Sequence, residues 1–288
     1  MGLDRLEQMK SLRISIVQYL NTAPLVRGFT HGPLRGKYDL SFTVPSQCAE
    51  ALRTGAVDIA IIPAIEYQRI NGLAILPDLS IASKKSVRSL LLISKKPIKD
   101  VQRIALDRSS RSTQALTRIL CAKRWHIEPE FFEEVPDLKS MLEKADAALL
   151  IGDPALRFAL QGAESHGVNG TTNLFVYDMV EKWRALTSLP AVLAVWAGRP
   201  EVITKEVVRD FQDSLAFGLK NLDEISAEAS VELKLPAEEL RKYLAENIDY
   251  RLDSENLQGL KRYYDLAAEL GIIGSAREIV MAEEAVKV

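Results

Sequence analysis

The chain has 288 residues, 47% of them hydrophobic and 26% charged, which is material for one large α/β domain or two lobes of about 100 to 150 residues each. A formal net charge of -2, a pI of about 6.0 and no run of Lys or Arg longer than two supply no basic field, so neither nucleic acid nor an anionic membrane is an expected partner. No apolar run approaches a membrane span, and the opening MGLDRLEQMKSLR has mixed charge without an apolar segment, so we expect a cytoplasmic protein.

Along the chain, short apolar runs alternate with amphipathic patterns. A buried strand is predicted over 13–17, followed by the stretch QYLNTAPL, which sets Tyr19, Asn21 and Thr22 together at the strand tip with Pro24 behind them. Further strands are predicted over 39–44, 58–62, 89–94, 103–106, 147–151 and 191–196. Between them, 46–53 reads as a helix capped by Ser46 and stopped by Gly55, and 112–122 as a helix with Leu116, Ile119 and Leu120 on one face. Alternation of this kind argues for parallel sheets. From about residue 200 the pattern becomes helical, over 205–222, 236–246 and 254–270, and a strandless tail must cover a sheet already built. The expected arrangement is one lobe of residues 1–84 and 197–288 and a second lobe, 85–196, inserted between them. Two short crossings then form a hinge, and a hinge implies a cleft that closes on a ligand.

The strand tips are more polar than connectors require. After 103–106 comes DRSSRSTQAL, with Ser109, Ser110, Ser112 and Thr113 at a helix start. One hydroxyl caps a helix; four exceed that need, and free backbone N–H groups with the helix dipole suit a carboxylate or phosphate. Pro45, Ser46 and Gln47 open another helix in the same way. In LLIGDPAL, Gly152 allows close backbone approach and Asp153 reads either as a cap or as a ligand contact. In a two-lobed α/β fold these tips converge, because ligands bind outside the carboxyl ends of the strands.

Absences narrow the chemistry. The three histidines, His31, His126 and His166, fit no metalloprotease, serine-hydrolase, phosphate-loop or dinucleotide pattern, and His31 and His166 each adjoin glycine in expected exposed loops. Cys48 and Cys121 lack metal-ligand spacing and sit beside apolar neighbours, as core thiols do.

Six blocks in order then carry a resemblance: YLNTAPL near the start, PSQCAEALRTGAVDIAIIPAIEY at 45–67, SVRSLLLIS at 86–94, ALDRSSRST at 105–113, ADAALLIGDPAL at 145–156 and YDMVEKWRALTSLPAVLAVW at 177–196. Together they resemble the chorismate dehydratase family of the futalosine route to menaquinone. The resemblance implies a cytoplasmic enzyme on the two-lobed type II periplasmic-binding-protein-like fold, with a hinge and an interlobe cleft. Its implied reaction converts chorismate to 3-[(1-carboxyvinyl)oxy]benzoate and water, without a metal or organic cofactor. By motif position Asn21 and Ser89 match the family's active-site residues. Ser110, Ser112 and Thr113 match substrate binders, and Tyr19, Thr22, Ser46, Gly152 and Asp153 complete the expected binding set. One departure is Lys85, where the family's loop is expected to carry glycine.

The implied chemistry suits these residue types. Loss of the ring C3 proton with the C4 hydroxyl makes the chorismate ring aromatic, so the protein has mainly to hold and polarise. The proton acceptor is left open between the substrate's own enolpyruvyl carboxylate, Asp153 and Glu66. Two other readings stand beside this one. A 1,4-dihydroxy-6-naphthoate synthase of the same pathway resembles a Ser-Pro-Cys-Pro-Asn-Asp opening, from which QYLNTAPL departs; a small-anion solute receptor rests on fold analogy alone. Monomer and homodimer remain equally compatible with the sequence.

Overall fold

The computed structural model describes residues 11–168 and 174–282. The chain opens with β1 (Arg13–Val17), and a single turn, Leu20–Thr22, leads into α1 (Ala23–Thr30). Then come β2 (Asp39–Thr43), α2 (Pro45–Arg53), β3 (Ile59–Pro63), α3 (Ala64–Arg69) and β4 (Ala74–Ser83). After a crossing, β5 (Leu90–Ser94), β6 (Arg103–Asp107), α4 (Arg111–Leu120), β7 (Glu130–Glu134), α5 (Leu138–Lys144) and β8 (Ala147–Ile151) are followed by α6 (Gly152–Gln161), β9 (Phe175–Asp178) and α7 (Met179–Thr187). The chain returns through β10 (Ala191–Gly198) and ends in α8 (Lys205–Lys220), α9 (Leu222–Leu233), α10 (Ala237–Lys242), which runs on into a π-helical turn at Tyr243–Asn247, and α11 (Ser254–Glu269).

Two five-stranded sheets result, ordered β2-β1-β3-β10-β4 and β7-β6-β8-β5-β9. In the first, β1 runs parallel to β2 and β3, and β10 lies antiparallel between β3 and β4. The second repeats the plan: β6 is parallel to β7 and β8, while β5 is antiparallel to both β8 and β9. Each antiparallel strand is thus the first one reached after crossing from the other sheet. The inner strands β3, β5 and β8 are buried at every position, as strands covered on both faces are. This is the two-lobed α/β architecture expected from the sequence.

The differences have local causes. β4 contains Pro77 and Asp78, the latter at a φ of 63°, and this reads as a turn. The strand survives because β10 takes up two register shifts opposite it. The edge strands β2 and β7 present exposed charge, as blunted edges do, so β7 lacks an apolar run. Ser46 does not cap α2: Pro45 occupies the first turn and Val44 precedes it without a side-chain cap. Cys48 and Cys121 are buried thiols, and burial pushes them up to about 11 and about 12. His31 ends α1 exposed and bonded to Thr30 Oγ1 at 2.8 Å, while the His166 side chain lies outside the described part. Among the described residues no helix is long and apolar enough to cross a membrane.

Candidate active site

The tip of β1 is placed by the packing of α1 on α8. A Cβ at Gly218 would lie 2.0 Å from the Pro24 carbonyl oxygen, so only glycine lets the two helices approach this closely. Ser214 on α8 fastens the contact, its Oγ donating to the Leu25 carbonyl at 2.8 Å and accepting from Gly28 N–H at 3.1 Å. With α1 fixed, Tyr19 lies against the second lobe, at Gly152 and Ser109. Asn21 and Thr22 are buried, and the Thr22 hydroxyl donates to Asn21 Oδ1 at 3.3 Å. No side chain caps the helix here, so Asn21 is not spent on capping.

Opposite stands the β8–α6 turn. Gly152 has a φ of 62°, and a Cβ built on it would sit 2.9 Å from three carbons of the Tyr19 ring. The glycine is therefore required twice over, for its backbone and for the aromatic face against it. Asp153 is no cap, because α6 begins at Gly152. Its carboxylate crosses the seam and accepts the Leu20 N–H at 3.1 Å. Burial, opposed by that N–H and reinforced by Glu232, pushes the Asp153 carboxyl up to about 6.

Ser89 joins the β8–α6 turn to the C-terminal helices. Its carbonyl accepts the Gly152 N–H at 2.8 Å, and its hydroxyl accepts from the Tyr243 phenol at 2.8 Å. The Asn21 amide lies beside the same phenol, and burial raises the phenol's proton affinity. Lys85 adopts no left-handed backbone; the residue at positive φ in this loop is Arg88, at 60°.

A second group of predicted residues lies along the same seam. The Tyr19 hydroxyl reaches Ser109 Oγ at 3.3 Å, and burial lifts the Tyr19 phenol to about 12. Ser46 contributes its backbone, donating N–H to the Ser109 carbonyl at 3.0 Å. Ser110 precedes α4 with its hydroxyl 2.7 Å from that of Thr113, while Ser112 Oγ accepts the Ile65 N–H at 3.0 Å. The starts of α3 and α4 thus face each other across the lobes. Glu66, on α3, is fully buried and held by Arg53, by Arg69 at 3.0 Å and by Arg111 at 3.0 Å. Both carboxylate oxygens of Glu66 accept from guanidinium groups, an ion-paired role in which Arg111 ties it to the other lobe.

A cavity of about 310 Å³ adjoins Tyr19, Thr22 and Asp153 between α1 and α9. Its other charged walls include Arg27, Glu228 and Glu232, and Arg27 is already paired with Glu228 at 2.6 Å and Glu224 at 3.3 Å.

A family model described as menaquinone biosynthesis matches residues 12–269. The chain belongs to that family. The chorismate dehydratase of Thermus thermophilus is 28% identical over 264 residues, covering 88% of this chain and 94% of that protein. Among solved structures, a protein of Archaeoglobus fulgidus superposes with a TM-score of 0.73 at 20% identity, over 92% of this chain and all of that one. The periplasmic aliphatic sulphonate binding protein of Escherichia coli follows with a TM-score of 0.62 at 17% identity, over 96% of each chain. These likenesses establish the periplasmic-binding-protein-like fold. In this menaquinone biosynthesis protein, the residue that sequence reasoning missed is Tyr243, whose position in the chain carries no motif and whose partner Ser89 is 154 residues away.

Proposed function

We propose that the chain is a chorismate dehydratase, a cytoplasmic hydro-lyase that releases water from chorismate to give 3-[(1-carboxyvinyl)oxy]benzoate. What carries the reading to this chain is the convergence of Asn21, Ser89 and Tyr243 from three distant segments at one buried point, with Ser89 Oγ 2.8 Å from the phenol. The relative named chorismate dehydratase supports the substrate assignment.

The residues divide the work. The substrate carboxylates bind the start of α4, where Ser110, Ser112 and Thr113 join the helix N-terminus. Asn21 and Ser89 hydrogen-bond the departing C4 hydroxyl, which gains charge as its bond to carbon breaks. The C3 proton passes to a carboxylate, either Asp153 or the substrate's own enolpyruvyl group, and from there to the departing C4 oxygen, so that the C3–H and C4–O bonds break, the ring double bond forms and water leaves. Aromatisation makes the overall step downhill, so positioning and charge stabilisation account for the protein's share. Residues 1–84 with 197–288 and residues 85–196 act as lobes that part to admit substrate and close through the Asp153, Ser109, Ser112 and Glu66 contacts; 1–10, 169–173 and 283–288 within those limits lie outside the described residues.

The test is incubation of purified protein with chorismate, following ultraviolet absorbance and product mass. Loss of one water with a new aromatic absorbance supports the reading. Binding without any change of mass sinks it. In the same assay, Asn21→Ala should lose about 100-fold or more in kcat with little change in KM, on the scale of removing one preorganised donor.

A further inference from the structure

The loop that carries Ser89 is gripped from one side by a single helical face. Glu239 on α10, then Tyr243 and Asn247 in the π-helical turn that continues it, recur at four-residue spacing. Glu239 Oε2 accepts from both terminal nitrogens of Arg88, each at 3.2 Å. The Tyr243 phenol donates to Ser89 Oγ at 2.8 Å, and Asn247 Nδ2 donates to the Ser86 carbonyl at 3.0 Å. From the other side, Asp178 Oδ2 accepts the N–H groups of Val87 at 2.9 Å and Arg88 at 2.8 Å.

Between these grips Arg88 is held at a φ of 60°, a left-handed conformation that is unfavourable because its Cβ crowds the following carbonyl oxygen. Backbone strain of this kind persists only where surroundings over-determine it. The π-helical turn belongs to the same pattern: an extra residue per turn re-aims the side chains that follow, and such turns gather at working sites. Tyr243 and Ser89 are both buried, at 1% and 4% exposed, so the hydrogen bond between them is shielded from bulk solvent.

We propose that the Glu239, Tyr243 and Asn247 face is a positioning device for Ser89, and that the Tyr243 phenol sets the direction in which the Ser89 hydroxyl donates. A serine oxygen that accepts from the phenol keeps its own proton for a ligand. The phenol itself touches no reacting atom; it fixes the rotor of the group that does. This assignment rests on the reading of Ser89 as the group that meets the departing hydroxyl.

Steady-state kinetics on Tyr243→Phe, Ser89→Ala and the double variant test it. Tyr243→Phe removes one oxygen and keeps the ring, and should lower kcat about tenfold with KM changed less than about twofold, the scale of losing an outer hydrogen bond that orients a reacting group. The double variant should turn over no more slowly than Ser89→Ala alone, because the phenol works only through that hydroxyl. Multiplying losses in the double variant, or full turnover in Tyr243→Phe beside an impaired Ser89→Ala, overturns the positioning role while leaving Ser89 in place. Unimpaired Ser89→Ala overturns the reading of Ser89 itself. Glu239→Gln, at the half-exposed end of the same face, supplies the same comparison if Tyr243→Phe does not fold: a loss of kcat that disappears in the Ser89→Ala background supports the device, and one that multiplies overturns it.

Discussion

Asp153 offers a prediction in which sign, size and site are all specified. Its carboxyl is raised from 3.8 to about 6, chiefly by burial, so the folded protein prefers it protonated. For a group whose folded value lies above its unfolded one, the stability it contributes is complete below about pH 4 and is lost as pH rises through about 6. The difference of about two units corresponds to roughly 3 kcal/mol as an upper value. Asn at this position keeps an oxygen for the Leu20 N–H and carries no charge at any pH. Asp153→Asn should therefore melt with wild type near pH 4 and above it beyond pH 6. The gap should level off by about pH 7.5 at roughly 5 °C, taking about 2 °C per kcal/mol for a chain of this size. Thermal melts of both proteins in one buffer series from pH 4.5 to 8 check this. Parallel curves would mean that the carboxylate is solvated and that the Leu20 contact holds no buried charge. The same variant divides the chemistry, since retained turnover assigns the C3 proton to the substrate's carboxylate and lost turnover assigns it to Asp153.

Three further outcomes follow from the seam. Gly152→Ala should lower both Tm and turnover, because a left-handed alanine costs about 1 to 2 kcal/mol and its Cβ meets the Tyr19 ring at 2.9 Å; wild-type melting and kinetics together would refute the packing. Ser112→Ala leaves the buried Ile65 N–H without its acceptor and should destabilise by about 1 to 3 kcal/mol, read as a lower denaturant midpoint at unchanged slope. Glu66→Gln should lower Tm by loosening three arginines yet leave the pH dependence of kcat as it is; a displaced pH profile would return Glu66 to the list of proton acceptors.

What could be read from the sequence follows what local pattern encodes. β1 and β8 appear at their expected limits because RISIV is rich in β-branched residues and AALLI is an apolar run too short for a helix, each flanked by polar residues. β9 was missed because FVYD is short and half exposed, and α9 because only Leu222, Ile225 and Ser226 of its residues are buried, too few for an amphipathic stripe. The strand tips were legible as a set: an unneeded amide at Asn21, surplus hydroxyls at 109–113 and a glycine before Asp153 are local excesses over structural need. Individual roles were less so. Ser46 and Asp153 read as caps because capping is the commonest use of such residues, and only the tertiary seam shows one giving its backbone and the other its carboxylate to the opposite lobe. Tyr243 had no local signal, since its use depends on a helix folding back across the crossing to reach Ser89.

The closed seam also bears on how selectivity arises. Leu20, Ser46 and Ile65 of the first lobe each give a backbone N–H to an acceptor in the second, at Asp153, Ser109 and Ser112. Backbone donors have fixed positions once their strands and helices are packed, so closure is nearly a single geometry rather than a range of them. A ligand that lets all three bonds form is enclosed; one that holds the lobes apart by an ångström loses all of them, at about 0.5 to 1.5 kcal/mol each. Under the proposed function, in which the hydroxyls at the start of α4 hold the anionic ends of the substrate, discrimination by closure multiplies discrimination by those hydroxyls. Within that seam Gly152 packs against the Tyr19 ring so closely that a Cβ would meet it at 2.9 Å, which leaves closure no slack at this point.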